Sequence, residues 1–298
     1  MRKTILAVLL EIPALLLAAS ADAASPSAAE LERGRYVFGA TGGCGCHTEK
    51  GGRAINACGR RYDGPFGTVY SSNITPDRET GIGGWTDEQI VTAIRLGRRP
   101  NGERLVPVHP YPVFNGMAEA DLRALVAFLR TLPPVRRANR PRQIAVPLFE
   151  RVFLPAWLVA FAPRETPPAA APTAGVARGE YLVRAVGHCG ECHTPRTLTM
   201  APDTARFLAG TSRGPEGEAV PNITPHAETG LGRWSVEDIA WYLGTGNKPD
   251  GDVAGGLMGE VIEGTAAGYK DLSRADLTAI AQYLKTIPPV RNTITLKK

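Results

Sequence analysis

The chain has 298 residues, enough for two ordinary domains that each bury a core. Its formal net charge is +5, yet no basic helix and no aromatic stacking platform accompanies the excess, so a nucleic-acid partner is excluded. Five cysteines carry more information than the charge does.

Residues 1–23 open on Arg2 and Lys3, run through an apolar stretch from Ile5 to Ala19 and leave through Ala21-Asp22-Ala23. They read as a secretory signal peptide, which makes the protein periplasmic. A retained membrane anchor is the rival reading, although the stretch is short for a span and is interrupted by Glu11 and Pro13. Export would place the cysteines where disulfides form. The spacing points elsewhere. In "GHCGECHTPR", residues 187–196, Cys189 and Cys192 bracket two residues and lead into His193. That is the attachment pattern of covalent haem c, with two thioethers to the vinyl groups and an imidazole on iron. "GGCGCHT", residues 42–48, has the same layout with one residue fewer between Cys44 and Cys46, followed by His47.

Self-comparison shows that the two sites belong to a repeat. "SNITPDRETGIGGWTDEQI" at 72–90 matches "PNITPHAETGLGRWSVEDI" at 221–239, and Gly97, Pro100 and Gly102 fall on Gly246, Pro249 and Gly251 without a gap. "RGRYVFGATGGCGCHT" resembles "RGEYLVRAVGHCGECHT", and "DLRALVAFLRTLPPVR" resembles "DLTAIAQYLKTIPPVR". The implied organisation is a first domain at 24–135, a linker at 136–173 and a second domain at 174–298.

Each copy reads as helices joined by Gly/Pro-rich loops, with strands minor. Thr86 with Gln89 forms a capping box for a helix that stops near Gly97, and Ser235 with Asp238 starts its counterpart. Leu122, Leu125, Val126 and Leu129 mark a closing helix in the first copy, and Leu277, Ile280, Ala281 and Leu284 mark one in the second. Pro133-Pro134 and Pro288-Pro289 end them. The linker is rich in Arg, Pro and Ala and contains "VFLPAWLVAFAP" at 152–163. That apolar piece reads either as packing across both domains or as a docking surface for a partner or for peripheral membrane association. The cluster Arg136, Arg137, Arg140 and Arg142 would steer a partner electrostatically.

The motifs "RGEYLVRAVGHCGECHTPR", "PNITPHAETGLGRW" and "DLTAIAQYLKTIPPV" resemble the periplasmic multi-haem cytochrome c family that includes the cytochrome subunits of membrane-bound alcohol, gluconate and fructose dehydrogenases. The resemblance implies an all-α fold of tandem class I-type cytochrome c domains, covalent haem and an electron-transfer role. Those subunits have three haem sites, whereas the repeat here provides two. Two covalently bound haem c would bring four propionates, so much of the basic excess reads as counter-charge.

At the first site either Cys44 and Cys46 both bond to the haem, with Gly45 supplying backbone freedom, or Cys46 alone does. In the second case Cys44 could pair with Cys58; otherwise Cys58 is a free, partly buried thiol. His47 and His193 are the proximal iron ligands. Met258, 36 residues after Asn222, is the expected distal ligand of the second haem, with core filling as the alternative. Asn73 plus the same interval gives His109 for the first, with Met117 as the alternative. His188 and Met200 lie too close to the second attachment helix to reach its far face. With both distal positions filled, the expected function is a di-haem electron carrier. It would take electrons from a dehydrogenase and pass them to a downstream cytochrome or oxidase, with no catalytic residues of its own. A di-haem peroxidase or a thiosulfate-oxidising cytochrome is the alternative.

Overall fold

A computed structural model describes residues 25–163 and 165–296; the expected signal peptide lies outside the described residues. Ser27 accepts a hydrogen bond from the Glu30 N–H and so starts α1 (Ala28–Ala40). Thr86 and Gln89 close a reciprocal capping box on α2 (Asp87–Leu96), and Gly97 ends it in the left-handed region at φ 62°. A short turn, α3 (Tyr111–Phe114), leads into α4 (Glu119–Leu129). Leu122, Leu125, Val126 and Leu129 recur at helical spacing on α4, and all four are buried.

Between the halves runs α5 (Leu154–Phe161). The second half then repeats the first with α6 (Gly175–Tyr181), α7 (Gly190–His193), α8 (Val236–Thr245), α9 (Gly256–Glu263) and α10 (Arg274–Thr286). Ser235 and Asp238 cap α8 as Thr86 and Gln89 cap α2, and Gly246 ends it at φ 78°.

α1 packs chiefly on α4, and α6 packs on α10. Both crossings need a glycine. A Cβ on Gly34 would lie 2.0 Å from the Ala124 carbonyl oxygen, and one on Gly179 would lie 1.9 Å from that of Ala279. Phe38, Leu122 and Val126 from the first half join Tyr181, Val183, Leu277 and Ile280 from the second in one continuous apolar core. Each such side chain contributes about 1.5–3 kcal/mol on leaving water.

The chain is mostly helical, with 41% helix and 8% strand, and the strand departs from an all-α expectation. β1 (Arg61–Gly64) and β2 (Gly67–Tyr70) form an antiparallel hairpin with Gly64 opposite Gly67, and β3 (Gln143–Ile144) pairs antiparallel with β2. Four-residue strands ended by glycine carry too few alternations to stand out in a sequence. Among the described residues, no helix is long and apolar enough to cross a membrane.

Candidate functional site

Each half places a cysteine–histidine loop directly after its first helical segment. In the first half a single 3-10 turn (Gly45–His47) carries Cys46 and His47, and Cys44 precedes it in the left-handed region at φ 52°. In the second half α7 carries Cys192 and His193, and Cys189 is its N-cap.

The two histidines are held in the same way. Nδ1 of His47 donates to the Ser72 carbonyl at 2.7 Å, and Nδ1 of His193 donates to the Pro221 carbonyl at 2.9 Å. A carbonyl can only accept, so the proton sits on Nδ1 and leaves the Nε2 lone pair for a metal. Burial lowers the pKa of both rings against the opposing pull of those carbonyls, which keeps them neutral.

Asn73 and Asn222 explain why both acceptors sit so similarly. Asn73 Oδ1 accepts from the Thr75 N–H and hydroxyl, and its Nδ2 donates to the Val135 carbonyl. Asn222 does the same with Thr224 and Val290. The repeated "NITP" thus ties the acceptor strand to the segment that follows each closing helix.

His47 and His109 line a largely apolar cavity of about 1910 Å³, with ring centres 6.4 Å apart. Small-molecule sites are typically about 300–1,000 Å³, so this one has room for a large prosthetic group. Burial, followed by the nearby His47 and His188, pushes His109 down to about 3, so it too is neutral. Cys44 and Cys46 stand on the same wall, and Cys192 reaches it from the second half. Burial pushes the thiols of Cys44 and Cys192 up to about 12 and that of Cys189 to about 11; the Cys46 thiol adds to the shift of Cys192. Trp85 and Leu129 from the first half, and Leu154 and Trp157 from α5, supply apolar wall. Two thiols and an oriented imidazole at each loop, with the apolar cavity beside the first, suit haem c.

The remaining expected positions are less convergent. Met117 is fully buried in the core and is not part of the cavity wall. Met258 is half-buried on α9 and packs against the core, while its neighbours Leu257 and Val261 line the cavity. His193 also lies off that wall. Cys44 and Cys58 are unbridged, and the buried Cys58 thiol donates to the Ala138 carbonyl at 3.4 Å.

Arg136 pairs with Glu79, Arg137 and Arg140 pair with Glu49, and Arg142 pairs with Glu103 and Glu150. Glu103 also pairs with Arg99, so each guanidinium of the cluster has a carboxylate partner, but the five arginines together outnumber the four carboxylates.

His188, set aside in the sequence as too close to its own attachment helix, lines the cavity that holds His109, edge-on to Phe114 at 5.2 Å, and Phe114 lies 5.5 Å from His109; Arg60 was not singled out in the sequence. Arg60, only 4% exposed, donates to the Gly45 carbonyl at 3.3 Å and pairs with Glu216 and Glu260 of the other half. Both depend on contacts between halves, for which a sequence carries no local signal. α5 also bridges the halves: Leu154 is buried, and the Trp157 indole donates to the Thr199 carbonyl at 2.7 Å.

No family model matches the chain. It is 39% identical over 277 residues to a di-haem c-type cytochrome of Cereibacter sphaeroides, an alignment covering 88% of this chain and 87% of that one. It is 40% identical over 296 residues to the cytochrome c subunit of gluconate 2-dehydrogenase from Pantoea cypripedii, covering 96% of this chain and 65% of that subunit. It is 38% identical over 279 residues to the cytochrome c subunit of the quinone alcohol dehydrogenase of Gluconobacter oxydans, covering 91% and 57%. The chain therefore spans less than two thirds of the length of these two dehydrogenase subunits.

Proposed function

The chain belongs to the cytochrome c family that contains a di-haem c-type cytochrome and the cytochrome c subunits of gluconate, alcohol and fructose dehydrogenases, and from this we propose that it is a periplasmic di-haem electron-transfer protein or subunit working with a dehydrogenase. Cys46, with Cys44 as the second sulfur, and His47 and His109 would hold one haem c. Cys189, Cys192, His193 and Met258 would hold the other. The organisation is a signal peptide at 1–23, a domain at 24–135, a linker at 136–173 and a domain at 174–298. Electrons leave towards a downstream cytochrome or oxidase.

When bound, the group supplies a one-electron ferric/ferrous couple, tuned by axial ligands, burial and hydrogen bonds. The chain's own residues do the rest. The Ser72 and Pro221 carbonyls fix the tautomer and the facing of His47 and His193. Ile90 and Ile94 of α2, Leu129 of α4 and Leu154 of α5 give the first site an apolar wall. The observation that carries the reading is this one histidine–carbonyl arrangement occurring after both cysteine pairs.

Intact mass and pyridine haemochrome of the mature protein should give two covalent haems per chain. A count of one would mean that the contracted Cys44-Gly45-Cys46 loop is dead. Rapid turnover of peroxide or thiosulfate by the purified chain would replace the carrier reading with an enzyme.

A further inference from the structure

Each half contributes a tyrosine to the helix start of the other. The Tyr181 hydroxyl, on α6, donates to Asp121 Oδ2 at 2.7 Å and accepts from the Ala118 N–H at 3.1 Å. The Tyr36 hydroxyl, on α1, donates to Asp276 Oδ2 at 2.7 Å and accepts from the Ser273 N–H at 3.1 Å. Ala118 and Ser273 are the N-caps of α4 and α10, and Asp121 and Asp276 are the third residues of those helices. Each hydroxyl therefore stands between an N-cap N–H and the carboxylate that would otherwise reach back to it in a capping box. Ala118 has no side chain with which to cap α4, and the Tyr181 hydroxyl satisfies the Ala118 N–H in place of the Asp121 carboxylate.

Each carboxylate is also gripped from within its own half. Arg33 Nε donates to Asp121 Oδ1 at 2.7 Å; Arg178 donates through Nε and Nη2 to the two oxygens of Asp276 at 3.0 and 2.7 Å. Arg33 and Tyr36 correspond in sequence to Arg178 and Tyr181, and Ala118 and Asp121 correspond to Ser273 and Asp276. Residue i of one half thus touches residue j of the other, while j of the first touches i of the second. That is the signature of an isologous, two-fold interface, here within a single chain. Asp121 and Asp276 are 3% and 7% exposed, so neither carboxylate is cheap to leave unpartnered.

We infer that these reciprocal Tyr–Asp–Arg bridges clasp the two halves as a pseudo-symmetric pair, and that Tyr36 and Tyr181 are positioning residues that fix one attachment loop against the other. Tyr36 lies eight residues before Cys44, and Tyr181 lies eight before Cys189. Each clasp thus sits on the helical segment that delivers a loop, and the loops meet at the cavity that Cys46, Cys192 and His188 all line, where His188 packs on Phe114. The inference rests on the two-domain, two-haem reading for its consequence, though not for its geometry.

The test uses full-length holoprotein carrying Tyr36→Phe, Tyr181→Phe or both. Tyr283→Phe is the control, because the Tyr283 hydroxyl accepts from Arg184 inside one half. Calorimetry should show one transition for the wild type, the control and each single variant, since one bridge still holds. The double variant should show two transitions, the lower displaced by about 5 °C. Its visible spectrum should stay unchanged, because neither tyrosine touches a proposed ligand, while electron exchange between the centres after flash reduction slows by about tenfold or more, as loss of positioning does elsewhere. A single transition at the control temperature with unaltered exchange would overturn the inference. If the double variant fails to accumulate, the single variants decide, and unshifted melting in both would overturn it equally. A protein without covalent haem would refute the proposed function instead, and the calorimetric result would still judge the clasp.

Discussion

Met117 and Met258 are chemically identical and structurally unlike, which makes them a useful pair. Met117 is fully enclosed by core side chains, so Met117→Ala should cost about 2–5 kcal/mol in denaturant unfolding and leave the visible and near-infrared spectra as they were. Met258 is half-buried beside the cavity-lining Leu257 and Val261, and Met258→Ala should remove the near-infrared sulfur-to-iron band with a smaller stability loss. A band that survives Met258→Ala and disappears with Met117→Ala would reverse the ligand assignment. Asp276 makes a second residue-scale prediction. Burial raises its pKa, but the hydrogen bonds from Arg178 and Tyr36 outweigh that and hold it below the ordinary carboxylate value. A depressed folded-state pKa gives stability that is present above the unfolded value of about 3.9 and is lost as pH falls through the folded one. Asp276→Asn should therefore cost about 3 kcal/mol at pH 7, and the gap from the wild type should narrow on acidification below about pH 4.

Helices that cross at a glycine tolerate almost nothing there. Gly34→Ala or Gly179→Ala would drive a methyl into a backbone carbonyl that cannot rotate away, so either should cost about 3 kcal/mol or more, read by thermal or urea unfolding. A loss under about 1 kcal/mol would mean that the paired helices part more easily than their packing indicates. These glycines were legible only as members of the repeated "RG" pairs; that they lie under a facing helix is a tertiary fact. The capping boxes at Thr86 and Ser235, the stops at Gly97 and Gly246 and the buried stripes of α4 and α10 were readable because each is a local pattern within a few residues. The β1–β2 hairpin was not, because two of its strand ends are glycines and β3 joins from far along the chain. At the candidate site the cysteines and proximal histidines announced themselves by spacing. The Ser72 and Pro221 acceptors did not, since a backbone carbonyl has no residue type to read.

For the molecule as a whole, the duplication is symmetric in its scaffold and asymmetric in its chemistry. The crossings, caps and tyrosine clasps repeat, but one half has a contracted attachment loop and His109 where the other has a full loop and Met258. α5 adds to the asymmetry by walling the cavity that holds His47 and His109. Under the proposed ligation, two physical effects on the first centre would oppose each other. The apolar wall would disfavour the extra charge of ferric iron and raise the potential, whereas an imidazole in place of a thioether would favour ferric iron and lower it. The ligand acts directly on the metal and the wall acts through the medium, so the ligand effect should prevail. A redox titration should therefore resolve two waves, with the near-infrared sulfur-to-iron band titrating only with the higher. His109→Met should move the lower wave up towards the other and add a second sulfur band. A wild type with a single wave of two His/Met centres would show that the gap-free interval from Asn73 to His109 had misdirected the assignment, and that the two halves are alike in chemistry as well as in scaffold.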